Sequence, residues 1–236
     1  MLLYLQVNYF MMISLLSNLK IAVPDKIFIK DPESSELGKR IIEHSIELID
    51  DLGFDAFTFK KLGAIIGSNE SSVYRYFESK HKLLLYLTSW YWAWIEYQLV
   101  FATHNMPNPE DKLNKAIEMV TKTIQEDVAF SHINEVKLNR IVINEYSKSY
   151  LTKEVDVENK DGYFVVYKRL VSRLKDMILA INPKFKYPSS LASTMLEGSL
   201  HQHFLVEHFP SITDCNTRIT PTDYFKNIVF NTIKTN

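Results

Sequence analysis

The chain has 236 residues, 46% hydrophobic and 23% charged, the proportions of a soluble globular protein large enough for a small head joined to a larger body. Its 27 basic and 28 acidic side chains leave a formal charge of −1, which excludes bulk attraction to nucleic acid; any such site must be local. The single cysteine, Cys215, excludes an intramolecular disulfide and a zinc site built on several cysteines, and fits an expected cytoplasmic location.

Six glycines and eight prolines are few, and favour helices joined by short loops over a sheet rich in turns. Residues 1–33 read as an N-terminal arm. Met1 to Val23 is mostly apolar, with Lys20 as its only charge. It lacks the basic start and the cleavage site of a signal peptide. As a membrane span it is interrupted by Gln6, Asn8, Ser14, Ser17 and Asn18, so no stable membrane association is expected. Two readings stay open: a flexible or packing arm, or a start assigned too early, with Met11 and Met12 as later starts.

After the Asp31-Pro32 breaker the pattern is helical throughout. A first helix starts near Ser34-Ser35, carries Leu37, Ile41, Leu48, Ile49 and Leu52 at near-helical spacing, and stops at Gly53. A second opens after Thr58 and runs through Leu62, Ile65 and Ile66 to Gly67; a third opens at Asn69 and carries Val73, Tyr74, Tyr76 and Phe77. Ser79 caps a long fourth helix from Lys80 to about Ala102. Five more helical segments are expected at roughly 110–127, 132–150, 155–181, 189–209 and 221–234. With no strand pattern and no repeat, the expected fold is all-α.

The second and third helices, with a tight turn at Gly67, meet the requirements of a helix-turn-helix. Gly67 allows the left-handed backbone where the second helix ends. Leu62, Ile66 and Val73 can fix the angle between the two helices, and the third then exposes Glu70, Ser71, Ser72 and Arg75 to base edges in a major groove. Arg75 is the side chain able to grip guanine in a bidentate way. From Ser34 to Lys82 seven bases face eight acids, yet five of the seven, Lys60 among them, fall between 60 and 82 beside only two acids. Lys60, one of these five, is also a candidate phosphate contact.

The run Thr58 to Leu84, with its Val-Tyr-Arg-Tyr-Phe core and the following Ser79-Lys80, resembles the TetR/AcrR family of repressors over roughly residues 36–85. The resemblance implies a three-helix DNA-binding head at 34–82 and a helical ligand-binding and dimerisation domain at 83–236. It places Tyr74, Tyr76 and Lys80 in phosphate-clamping positions and Thr58 at the phosphate-facing start of the second helix. Ser68 departs from the family, which usually has an apolar turn residue there.

In the body, Trp90, Trp94, Tyr97 and Phe101 recur at spacings of 4, 3 and 4 and share a face, while Trp92 points elsewhere. Core packing explains such a face; lining a pocket for a small, largely apolar effector, with His201 as a polar contact, is the sharper reading. Glu197, His201 and His208 lie near one helix face, but the two histidines are roughly 10 Å apart along the axis and cannot chelate one ion, so no metal or cofactor is expected. In the last two helices, Leu191, Met195, Gly198, Phe225, Ile228 and Val229 offer small and apolar surface for a homodimer, the arrangement the resemblance also implies.

No nucleophile elbow, phosphate-cradling glycine loop or zinc helix occurs, so an enzyme is not expected. The expected function is a DNA-binding regulator, a repressor by analogy, acting as a homodimer on a palindromic operator in double-stranded DNA and released by its effector. The near-neutral head and Glu70 leave a second reading, a helical ligand-binding or adaptor protein that no longer binds DNA.

Overall fold

The computed structural model describes residues 21–124 and 132–234, so the arm readings for residues 1–20 lie outside the described residues. Ten α-helices and no strand occur among the described residues: α1 Glu36–Leu52, α2 Phe59–Ile65, α3 Glu70–Tyr74, α4 Lys80–Thr103, α5 Pro109–Thr121, α6 Glu135–Glu145, α7 Val155–Lys160, α8 Val165–Ile181, α9 Pro188–His208 and α10 Pro221–Lys234. No described helix is long and apolar enough to cross a membrane. The chain divides into two compact units, Met1–Tyr91 with Ile124–Val155, and Trp92–Thr123 with Asp156–Asn236.

The helix starts follow from local chemistry. Ser35, Thr58 and Asn69 each accept a backbone N–H of the helix they open, from Gly38, Lys61 and Ser72 respectively. Ser79 does the same for Lys82 at 3.2 Å. Of the expected boundaries, 155–181 differs most, because Gly162 adopts φ +88° and splits the segment into α7 and α8.

In the first unit, Ile41, Ile42, Ile46, Phe57, Leu62, Val73, Phe77 and Leu83 are fully buried where α1 to α4 meet. The chain ahead of α1 is part of this unit. Ile27 is buried, a 3₁₀ turn runs Pro32–Ser34, and Gly38 of α1 lies directly against that turn. Helix α6 packs on α1 and is tied to it by polar contacts. Arg140 donates through Nε to Asp50 at 2.9 Å and pairs with the same carboxylate through Nη2. Just ahead of α6, His132 lies 2.8 Å from Glu33.

Glu145 closes α6 onto the α1–α2 loop, accepting the buried Phe54 N–H at 2.9 Å, while Lys148 bridges Glu145 and Asp55 at 2.8 Å each. A loop amide that loses its buried acceptor loses more than one ordinary hydrogen bond. Glu145→Ala is therefore expected to cost about 2 kcal/mol, read by chemical unfolding. Hydrogen exchange at the Phe54 amide should accelerate at the same time; unchanged protection would contradict this account.

In the second unit, α9 packs on α8, α10 and α5, and α5 also packs on α8 and α10. Leu170, Leu174, Ile178, Ala192, Met195, Leu196 and Val229 form its interior. His203 of α9 meets the Thr121 carbonyl at 2.7 Å; burial lowers its pKa, so the ring stays neutral and donates.

Candidate nucleic-acid interface

Helices α2 and α3 are short, and their mutual geometry is held by backbone contacts. Gly67 takes φ +61°, as the turn requires, and the Ser68 N–H returns to the Gly63 carbonyl at 2.8 Å. Gly63 matters for a different reason: a Cβ there would sit 3.0 Å from the Asn69 carbonyl carbon and the Glu70 nitrogen. The start of α3 thus rests on the bare backbone of α2. Arg40 of α1 donates to the Ile66 carbonyl, capping the end of α2 from below. Neither Gly63 nor Arg40 stood out in the sequence, although a glycine inside a seven-residue helix was a signal available there.

This frame presents the outer face of α3. Glu70, Ser71 and Arg75 are exposed and Val73 points inward, fully buried. Ser72 is half-buried, and its hydroxyl donates to the Asn69 carboxamide oxygen at 3.1 Å, completing the cap. Arg75 forms no ion pair among the described residues, so its guanidinium is available to a ligand.

The five candidate phosphate contacts fall into two groups. Thr58 and Lys60 are exposed, and Tyr74 is 49% exposed with its ring packed edge-on against that of Phe59, 4.9 Å between centroids. Tyr76 and Lys80 are placed differently from the expectation. The Tyr76 ring is buried, only 3% exposed, and its hydroxyl is hydrogen-bonded to that of Ser35 at 2.7 Å. The Lys80 ammonium donates to the carbonyls of Phe54, Asp55 and Phe57 at 3.0, 3.1 and 3.4 Å, and lies over the Phe54 ring. In this structure Lys80 staples the α1–α2 loop. A loop of three convergent carbonyls is an acceptor site that periodicity and charge counting do not reveal.

The candidates in the body are dispersed. Trp90 lies in the first unit and is buried; Trp94 and Tyr97, in the second, are buried and half-buried. Phe101 is 63% exposed and stacks on Tyr97, and His201 is exposed beside Phe204, so neither lines an enclosed cavity. The helix carrying these aromatics is buried at every position from Leu83 to Glu96, so no single face of it is set apart there. Trp92, set aside in the sequence, meets Tyr167 of α8 at 5.5 Å between ring centroids.

The candidates for self-association also divide. Met195, Phe225 and Val229 are buried within the second unit of a single chain, where they cannot meet a second copy without repacking. Phe225 fills the space over Gly198, whose absent Cβ would lie 2.7 Å from the ring. Leu191, Gly198 and Ile228 are half-buried and remain within reach of the surface.

Residues 41–87 match the family described as "Bacterial regulatory proteins, tetR family". No curated protein matches the chain. Among solved structures, AibR in complex with isovaleryl coenzyme A and operator DNA matches with a TM-score of 0.56 and 17% identity, over 82% of this chain and 96% of AibR. The ketosteroid regulator KstR2 of Mycobacterium tuberculosis matches with a TM-score of 0.52 and 12% identity, over 85% and 94%. The superantigen PfiT matches with a TM-score of 0.57 and 14% identity, over 86% and 97%. At such identities these likenesses speak for the fold alone, and the three differ in what they do. The match of residues 41–87 falls on the helix-turn-helix whose turn, caps and outer face are described above, so this segment of the chain is similar to the tetR family of bacterial regulatory proteins.

Proposed function

We propose that the protein is a cytoplasmic transcriptional repressor that binds a palindromic operator as a homodimer and is released by a small, largely apolar effector. The observation that carries this reading is the outer face of α3, where Glu70, Ser71 and Arg75 stand exposed on a helix fixed by Gly63, Gly67 and Arg40. Arg75 reads a guanine, Glu70 and Ser71 approach neighbouring base edges, and Thr58, Lys60 and Tyr74 hold flanking phosphates. The head spans 34–82 and the effector-binding and dimerisation domain 83–236.

Pairing supplies what charge does not. A head of net charge −1 gains little from long-range attraction, whereas two linked heads on one duplex gain through effective concentration. The dimer forms through the outer surfaces of α9 and α10, at Leu191, Gly198 and Ile228. Effector contacts come from Trp94 and Tyr97. A ligand-bound AibR with operator DNA, among the similar folds, supports coupling of the two functions in one such chain.

Selection of duplexes from a random pool by the full chain tests this reading. Enrichment of an inverted repeat is the expected result; a pool that stays random after repeated rounds would overturn it. Arg75→Ala should relax the preference at one position in each half-site, losing about 2 kcal/mol of discrimination there. Quantitative competition with single-base variants of the selected duplex measures it.

A further inference from the structure

We infer that Lys30, on the segment ahead of α1, contacts a DNA backbone phosphate and extends the interface beyond the three helices of the head. This rests on the DNA-binding reading above. The segment is stitched to the end of the recognition element: the Ile29 N–H donates to the Tyr76 carbonyl at 2.8 Å, and the neighbouring Ile27 is buried. Lys30, the next residue, is exposed. Its ammonium lies 3.3 Å from the Tyr76 hydroxyl and 5.0 Å from the centre of that ring. Tyr76 follows Arg75 directly in the chain, so Lys30 is held at the residue next to the one proposed to read the groove.

The charge on Lys30 is not spent within the chain. Three acids follow closely in sequence, and each has another partner. Asp31 accepts the Glu33 N–H at 2.9 Å, Glu33 meets His132 at 2.8 Å, and Glu36 lies 3.4 Å from Lys39. Lys30 itself forms no ion pair among the described residues. Lys80, by contrast, has its ammonium surrounded by carbonyls. The hydrogen-bond partner of the Lys30 ammonium is the Tyr76 hydroxyl, which in turn is bonded to that of Ser35. A cation flanked by hydroxyl donors suits an anion with several acceptor oxygens, and beside a helix lying in a major groove that anion is a phosphodiester. The buried Tyr76 ring then works as a platform that fixes Lys30.

The test is the salt dependence of binding to the duplex selected by the wild-type full chain. Each phosphate neutralised contributes roughly 0.9 to the slope of log K against log salt. Lys30→Gln and Lys30→Ala should each flatten the slope by roughly that amount per chain, leave the selected sequence unchanged, and unfold at the wild-type temperature. Lys30→Arg should retain the slope, and Tyr76→Phe, which keeps the cation, should retain most of it. An unchanged slope in both neutral variants, with Arg75→Ala still relaxing base preference, overturns the role of Lys30 and leaves the head reading intact. Failure of the wild-type chain to select any duplex overturns both.

Discussion

Gly38→Ala is expected to destabilise the first unit by about 3 kcal/mol, more than any other single-methyl addition in it. A Cβ at that position would lie 2.2 Å from the Pro32 carbonyl oxygen and 2.7 Å from its Cα. Both are backbone atoms of the 3₁₀ turn, so no side chain can rotate away to make room. Helix α1 must separate from the segment ahead of it, and that segment also holds the Tyr76 carbonyl through Ile29. The substitution should therefore lower duplex affinity as well as stability, although it touches no residue of the outer face of α3. Urea unfolding followed through the transition measures the first effect. Two other glycines serve as internal controls. Gly63→Ala meets backbone at 3.0 Å and should cost less, and Gly67→Ala meets nothing within 4 Å but must hold φ +61°, at about 1 kcal/mol. The order Gly38, Gly63, Gly67 is the expected result; a Gly38→Ala chain as stable as the wild type would show that α1 does not rest on the turn.

What was legible in the sequence was what depends on near neighbours along the chain. Ser35, Thr58, Asn69 and Ser79 act as caps because a side-chain oxygen reaches an amide two or three residues on, whatever the rest of the molecule does. The left-handed Gly67 belongs to the same class. Contacts made at a distance were not legible. Lys80 looked like a free cation at a helix start, yet its three acceptors come from residues 23 to 26 positions earlier. The apolar stripe containing Phe225 and Val229 was real, but a stripe does not say whether it is covered by its own chain or by another. The arm ahead of α1 carried no periodicity, so the burial of Ile27 could not be read from it. The aromatic spacing along α4 implied one inward face, whereas that helix is surrounded, so spacing alone could not pick out a pocket.

The second large effect belongs to the body. Replacing both Arg169 and Arg173 by Ala is expected to cost about 3 kcal/mol at neutral pH. Glu96 of α4 is only 6% exposed, and its carboxylate receives Arg169 at 2.7 Å through Nε and Arg173 at 2.6 Å, one helical turn along α8. Burial by itself pushes the Glu96 pKa up; the two guanidinium groups outweigh it and hold the carboxyl below its ordinary value. Stripping both partners leaves a buried carboxylate with its desolvation cost and no compensation. The loss stays near the low end for a buried ion pair because both arginines are about half exposed and water can partly replace them. The pH dependence distinguishes this from simple loss of packing. A carboxyl whose folded pKa is depressed contributes stability that is fully present above its unfolded pKa, about 4.3, and is lost as pH falls through the lower folded value. The gap between wild type and the double variant should therefore be widest at neutral pH, begin to narrow as acidification protonates the now unpaired buried carboxyl of the variant, and narrow further below roughly pH 4.5 as the wild type loses its ion pairs. Glu96→Gln, which removes the charge, should show a smaller deficit that also narrows on acidification. A deficit independent of pH in the double variant would mean that the arginine stems, and not the charges they carry, hold α8 against α4.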